Sequence, residues 1–480
     1  MLAVVREHIV EEVKSANFVA IQADETTDVS TQTQLVLVLR YIDPNNKVQE
    51  RFFEFLPISE STSISIAIVL LERLNGLFAD DEKVKLIAQA YDGASVMRGE
   101  KAGVQQKVRE HFKNAHYVHC YAHQLNLIMQ QATSRIKTVN IFFSDLSGIA
   151  TFFSRSPKRT SILDQTVARR LPRASSTRWN FNSRVVNTVY ENRDDLIQCF
   201  EAIRTGSLGS FDQPTVREAS GYVRMLHDED FIFFLWLFHK IMPHVDTLYQ
   251  KLQKKDIDAV FIKRALDSFT NSVQAIRDSS QQQLQVATGA RRPRTSLREE
   301  EKQRLSEEVC DTILEARFSF TVHLVSATLL LADMFERYCH SFPDEALNAA
   351  VNAYPMLNKA KLKTELSLIY ENPEFKGCCG ALALYQVLMS YNLQETFSET
   401  VTLLNILITT PMTTAEAERC FSTLTRVKTF LRNSMGQERL NALAMLSMER
   451  ELVLNMPDFN EKVIDRFAAL KERRAQFQYK

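Results

Sequence analysis

Apolar positions in the first 150 residues of this 480-residue chain change period repeatedly, and each change marks an element. NFVAIQADET carries a short apolar run ending at Asp24, TQLVLVLRYID is rich in Val and Leu, and VQERFFEFLPI alternates apolar with polar residues. These read as three consecutive strands, joined by short polar connections such as DPNNK. SISIAIVLLERLNGLF then repeats at helical spacing, KVKLIAQAYD reads as a fourth strand, and EKAGVQQKVREHFKN as a second amphipathic helix. AHYVHCYAH is a short fifth strand running into the helix HQLNLIMQQATSRI.

Three strands in a meander followed by strand-helix-strand crossovers predict a mixed α/β sheet with helices on its faces, because parallel neighbours need crossovers and antiparallel ones do not. This is the element order of a ribonuclease-H-like core. In such a sheet the first and fourth strands lie side by side. Asp24 and Asp92, each placed at the C-terminal end of its strand, would then face one another.

From about Asn180 to Leu393 the strand signals stop. RVVNTVYENRDDLIQCFEAIRT, DFIFFLWLFHKIMPHVDTLYQKLQ and FTVHLVSATLLLADMFERYCHSF are apolar at helical spacing and short of Gly, so they predict an all-α domain. Within it, Ser279 to Gln303 is polar, charged and poor in aromatics, and reads as a mobile surface excursion. No fixed-period repeat supports a solenoid. Near the C-terminus a Pro-Met-Thr-Thr turn places a helix start near Thr414, whose hydroxyl can cap it, with Glu416 and Glu418 in the first turns and Leu440, Leu443 and Leu446 on a later face.

Composition adds class. Hydrophobic residues make up 45% and charged residues 24%, the balance of a globular protein, and no apolar run approaches the ~18 residues of a membrane span. MLAVVREHIVEEVKSA lacks the uninterrupted apolar core of a secretory signal, and seven cysteines without a repeating pattern do not suggest a disulfide framework; both point to a reducing, intracellular setting. Lys plus Arg equals Asp plus Glu at 58 each, so no global charge draws the chain to nucleic acid. Locally the balance breaks: between Thr151 and Trp179 stand Arg155, Lys158, Arg159, Arg169, Arg170, Arg173 and Arg178 against the single acid Asp164. A solvated loop and a phosphate-binding stretch are both open for that run.

Two-metal cleavage of a phosphodiester needs two or three carboxylates around hard cations, and carboxylate oxygens suit Mg²⁺ or Mn²⁺. Asp24 and Asp92 supply two, and Glu418 is the candidate third, with Glu416 its competitor. His116, His119, Cys120 and His123 offer four possible zinc ligands in eight residues, yet ligands packed across a strand-to-helix junction would point in different directions. A buried Cys with a capping His is the plainer reading. Trp179, beside arginines, can stack on an extruded base or close a domain boundary; Trp236, in FIFFLWLFHK, has apolar neighbours and reads as core.

Five blocks in order, ADETTDVS, YDGASVMRG, HCYAHQLNL, STRWN and TTAEAERCFS, resemble a hAT-superfamily transposase, closest to the transposon-derived proteins grouped with zinc-finger MYM-type factors. The resemblance covers about residue 10 to residue 455. It implies a ribonuclease-H-like core interrupted by a helical insertion, with domains at 1–175, 176–395 and 396–480, the last completing the core and dimerising from about Leu403. It also implies that Asp24, Asp92 and Glu418 form a Mg²⁺- or Mn²⁺-binding catalytic triad, the Glu directly before the Arg of ERCFS being the matching one. Cys120 and His123 would act near the DNA ends, and Trp179 would hold a flipped base beside Arg178, with Arg155, Lys158 and Arg159 on the phosphates. The expected partners are DNA and a second copy of the chain, in the nucleus, with no membrane and no small-molecule substrate. Two functions follow: a DNA transposase, or a domesticated DNA- or protein-binding protein. The second draws support from the absence of a Cys/His zinc-finger cluster ahead of the first strand.

Overall fold

Five strands, β1 (Val19–Thr27), β2 (Thr33–Ile42), β3 (Val48–Ile58), β4 (Leu86–Tyr91) and β5 (His116–His119), form one mixed sheet in the order β3-β2-β1-β4-β5. The computed structural model describes residues 1–167, 171, 179–207, 209–282, 297–315, 318 and 321–469. β1 to β3 are an antiparallel meander, while β4 pairs parallel to β1 and β5 parallel to β4. Helix α1 (Leu2–Ser15) precedes the sheet, α2 (Ser63–Leu77) leads into β4, and α3 (Ser95–Arg98) and α4 (Val104–His111) connect β4 to β5. The expected α/β core is therefore present.

One boundary differs from the sequence reading. Asp24 is inside β1, opposite Val36, because the antiparallel hairpin with β2 continues to Thr27↔Thr33. The parallel pairing with β4 stops earlier, at Gln22↔Ala90. Asp24 thus sits just past the last rung shared with β4, in line with Asp92, which follows β4 directly.

The rest of the chain is helical. From the end of β5 it runs through α5 (Tyr121–Arg135), α6 (Lys137–Ser154), α7 (Pro157–Thr166), α8 (Trp179–Glu191), α9 (Arg193–Thr205), α10 (Gln213–His227), α11 (Glu229–Leu252), α12 (Ala259–Gln282) and α13 (Glu299–Glu315). Then come α14 (Val322–Ala327), α15 (Phe335–His340), α16 (Asp344–Ala353), α17 (Lys359–Glu371), α18 (Ala381–Ser390) and α19 (Ser398–Thr409). The last are α20 (Ala415–Val427), α21 (Gln437–Met448), α22 (Arg450–Asn455) and α23 (Phe459–Ala469). Of the polar stretch 279–303, Ser279–Gln282 closes α12 and Glu299–Gln303 opens α13, so its ends are helix; residues 283–296 lie outside the described residues. Among the described residues no helix is long and apolar enough to cross a membrane.

The chain divides into two compact units: Met1–His123 with Leu252–Arg264 and Ser319–Lys480, and Gln124–Lys251 with Ala265–Phe318. In the second, Phe142, Phe231, Phe234 and Phe238 pack ring against ring, and a further group joins Phe152, Phe153, Phe200 and Tyr222. In the first, β2 is buried from Gln34 to Tyr41 without alternation, so both faces of the sheet are covered. Residues from both ends of the chain share this core. Val5, Ile9 and Leu70 from the N-terminal helices join Ala417, Leu424, Leu440 and Met445 from α20 and α21.

The C-terminal helices also close the sheet's edge. β3 is an outer strand, and a bare edge would leave backbone groups open to pairing with another chain. Here Asn441 Oδ1 accepts from the Phe55 amide at 2.8 Å, Asn441 Nδ2 and Gln437 Nε2 donate to the Phe55 carbonyl at 3.0 and 2.7 Å, and Glu449 accepts from the Phe52 amide at 2.7 Å. Arg40, buried at the centre of the sheet, donates to the carbonyls of Ile408 at the end of α19, Lys255 and Ile257, and pairs with Glu50 at 2.8 Å. One guanidinium therefore fixes three distant segments and satisfies helix-end carbonyls that would otherwise be orphaned.

Candidate functional site

Asp24, Asp92 and Glu418 come from β1, the turn after β4 and the first turns of α20. Their charges act on one another: burial pushes the Asp24 carboxyl up to about 7, with Asp92 adding to the rise and Glu418 adding a smaller part, against one lowering hydrogen bond from the Glu25 amide at 2.9 Å. Three like-charged groups from positions 24, 92 and 418 thus share one half-buried neighbourhood. Such crowding is unfavourable in a metal-free fold and is relieved by a cation.

Asp92 is held from behind. Asp92 Oδ1 accepts from the Ala94 amide at 3.1 Å, and Tyr117 donates its hydroxyl to the Asp92 carbonyl at 2.9 Å. Gly93 is glycine for space: a Cβ there would stand 2.4 Å from His119 Nε2. Burial pushes the His119 imidazole down to about 4, helped by His123 and Arg98, so a neutral ring packs against the Asp92-Gly93 turn. Gln22, two residues before Asp24 on the same face of β1, donates to Glu50 at 2.6 Å, and Glu50 lies 3.6 Å from Arg419 on α20. That chain of polar contacts ties β1 to the helix carrying Glu418.

Glu416 has another task. Arg419 donates to it at 2.6 Å, and Lys255 stands 3.5 Å away. Glu416 is committed to cations, while the charge of Glu418 acts on Asp24.

Cys120 is buried and its sulfur accepts from the Thr414 amide at 3.3 Å. Thr414 is the residue before α20, and its hydroxyl makes no cap to the first-turn amides; the Cys120 sulfur holds its backbone amide. The backbone adds a second tie, the Tyr121 amide donating to the Met412 carbonyl at 3.1 Å. His123, half-buried, stacks obliquely on His119 with ring centroids 5.5 Å apart, whereas His116 turns away to the Ala353 carbonyl at 2.9 Å. The four His and Cys side chains do not converge, and sequence reasoning gave no sign that Cys120 seats the helix of Glu418.

The basic run divides. Arg155 ends α6 and is exposed. Lys158 donates to the Ser210 carbonyl at 2.5 Å and lies over the Phe211 ring, and Arg159 donates to the Phe152 carbonyl and Thr215, with its guanidinium over the Phe152 ring at 4.3 Å. Both cations already have partners inside the helical unit. Arg169, Arg170, Arg173 and Arg178 lie outside the described residues, and Trp179 is the first residue of α8. Trp236 is only half-buried and lines a cleft of about 940 Å³ with Tyr190, Phe233, Glu229, Glu299 and Lys302, rather than closing a core.

By donor chemistry and charge the three carboxylates fit a hard divalent cation. Their spacing is looser: among the described residues no three His, Cys, Asp or Glu side chains are arranged closely enough to hold a metal ion.

Comparison with known proteins agrees with this architecture. Residues 2–103 match the ZMYM1/FAM200, RNase-like domain, and residues 390–452 match the hAT family C-terminal dimerisation region. The chain is similar to the 52 kDa repressor of the inhibitor of the protein kinase from Homo sapiens, 20% identical over 288 residues, which are 57% of this chain and 37% of the human protein. The Mus musculus protein of the same name is 20% identical over 289 residues, with the same shares. The chain thus spans little more than a third of the length of these curated relatives.

Proposed function

We propose that this chain, which carries matches to an RNase-like domain and to the hAT family C-terminal dimerisation region, is a hAT-transposase-derived, nuclear, dimeric DNA-binding protein whose core is built for metal-dependent phosphodiester cleavage and strand transfer. The observation that carries this reading is the charge coupling of Asp24 with Asp92 and Glu418 across almost 400 residues of sequence.

Asp24, Asp92 and Glu418 would hold Mg²⁺ or Mn²⁺, which when bound supplies Lewis-acid activation of the attacking water and stabilises the leaving oxygen. The protein's own contribution is positioning. Tyr117 and the Ala94 amide fix Asp92, the Cys120 sulfur and the Gln22-Glu50-Arg419 contacts seat the Glu418 helix, and neutral His119 keeps the turn packed without adding positive charge. Arg155, Arg178 and Trp179 are the candidates for phosphate and base contacts, stacking being worth ~1–3 kcal/mol per base. Lys158 and Arg159 would have to leave their present partners to join them.

A second reading, a DNA- or protein-binding dimer without cleavage, is favoured by the loose spacing of the carboxylates. The repressor designation of the similar proteins fits it as well. Mn²⁺ titration calorimetry on the wild type beside Asp92→Asn and Glu418→Gln separates the two. Binding that both substitutions abolish supports the catalytic reading; equal behaviour of all three proteins leaves the binding protein.

A further inference from the structure

The two most exposed large apolar side chains among the described residues are adjacent: Phe430 at 82% and Leu431 at 91% exposure. They form a single 3-10 turn between α20 and α21, closed by the Arg432 amide donating to the Thr429 carbonyl at 2.8 Å. Exposed apolar residues scattered singly are ordinary, but a neighbouring Phe and Leu fully in solvent are not.

The segment that carries the turn is tied to the sheet on both sides. Just before it, Lys428 is buried and its ammonium meets Asp28 Oδ2 at 2.5 Å, where Asp28 also accepts from Ser30 and Gln34. Five residues beyond it, past the exposed Asn433, Ser434 and Gly436, Gln437 exchanges hydrogen bonds with Gln34 and donates to the Phe55 carbonyl. The sheet therefore holds the turn at both ends and points its apolar pair outward. Meanwhile, on the later helical face, Leu440 is fully buried in this chain's own core, Leu446 is half-buried and Leu443 is exposed at 37%.

We infer that Phe430 and Leu431 are the anchor by which this chain docks on a second copy of itself. The pair falls inside residues 390–452, the stretch that matches a dimerisation region. This inference rests on the dimeric reading above and names the residues that make the contact. In a two-fold dimer each side chain occurs twice in the interface, so a small pair has a large effect. An exposed aromatic side chain beside an aliphatic one also offers more apolar area to a partner than either would alone.

Sedimentation velocity on the full chain across a dilution series tests this, comparing wild type with Phe430→Ser/Leu431→Ser. We expect a wild-type dimer and a double variant that dissociates at least ~100-fold more readily, with melting curves that coincide once both proteins are diluted to monomers, because neither side chain contributes to the core. As a positive measurement, Leu431→Cys in a Cys339→Ser/Cys379→Ser background should cross-link to its own copy with a short bis-maleimide. A wild type that is monomeric at every concentration overturns the dimeric reading itself. A double variant as dimeric as wild type, without cross-linking, overturns only the assignment to this turn. A double variant that stays dimeric and loses retention on DNA reassigns the turn to nucleic acid and also overturns it.

Discussion

Replacing Asp24 by asparagine should stabilise the metal-free protein at neutral and alkaline pH, although it removes a native group. In the fold the Asp24 carboxyl titrates near 7 rather than near its ordinary 3.8, because burial and the Asp92 and Glu418 charges oppose ionisation. The unfolded chain carries no such penalty, so above pH 4 ionisation favours unfolding, and the wild type loses stability progressively until pH passes about 7. At about 1.4 kcal/mol per pH unit the full effect is ~4 kcal/mol, and water at this half-buried site lowers the expected gain to about 2–4 kcal/mol. Asparagine keeps an acceptor for the Glu25 amide and never ionises. The assay is urea unfolding in EDTA from pH 5 to pH 8.5, read as the difference between variant and wild type. Taking the difference removes the contributions of half-buried His116 and His119 and buried His323, whose lowered pKa values change stability in the opposite sense. The gap should widen with pH and close when Mn²⁺ is added to the wild type. An Asn variant of equal or lower stability at pH 8, with a gap independent of pH, would refute the carboxylate cluster.

Three further outcomes follow from the same geometry. Lys428→Met leaves Asp28 charged and buried and should cost about 3–5 kcal/mol in chemical denaturation. Against burial, which raises it, the Lys428 ammonium with the Ser30 and Gln34 hydrogen bonds holds the Asp28 carboxyl down at about 2, so this stabilisation is present above pH 4 and is lost as pH falls toward 2, a loss that wild-type melts in acid will show more strongly than Lys428→Met melts. Gly93→Ala drives a methyl against His119 and should cost about 1–3 kcal/mol, most of it recovered in Gly93→Ala/His119→Ala; a strictly additive double mutant contradicts the contact. Cys120→Ala removes the acceptor of the Thr414 amide and should cost about 1–3 kcal/mol and weaken Mn²⁺ binding through a loosened Glu418 helix, whereas Cys120→Ser, which keeps an acceptor, should lose less of both.

The parts of this arrangement that show in sequence are those governed by local period. β2 and β4 are covered on both faces and therefore read as unbroken apolar runs, and α2 and α4 carry helical spacing, so the sheet order follows from element order alone. Asp24 was misplaced to a strand end because the apolar run stops there while the hairpin with β2 continues through polar residues. Asp92 and Gly93 stand out as a turn after a strand, but the need for glycine is set by His119, 26 positions on, and is visible only in space. The Cys120–Thr414 contact and the Arg40 carbonyl cluster each join segments hundreds of residues apart, and no local pattern distinguishes them from an ordinary buried Cys or a surface Arg. Glu416 and Glu418 lie two residues apart on one helix, yet one pairs with Arg419 while the other adds to the negative charge around Asp24.

The cover over β3 also has a consequence for synthesis. Its edge is closed by Gln437, Asn441 and Glu449, which leave the ribosome about 380 residues after Ile58. At roughly 5–20 residues per second the nascent sheet therefore waits some 20–75 s with an apolar face and an open edge. During that interval a chaperone, or the edge of a neighbouring nascent chain, can compete for the place that the C-terminal helices will take. Ribosomes halted before Gln437 should accordingly release aggregating chains rather than a smaller folded domain.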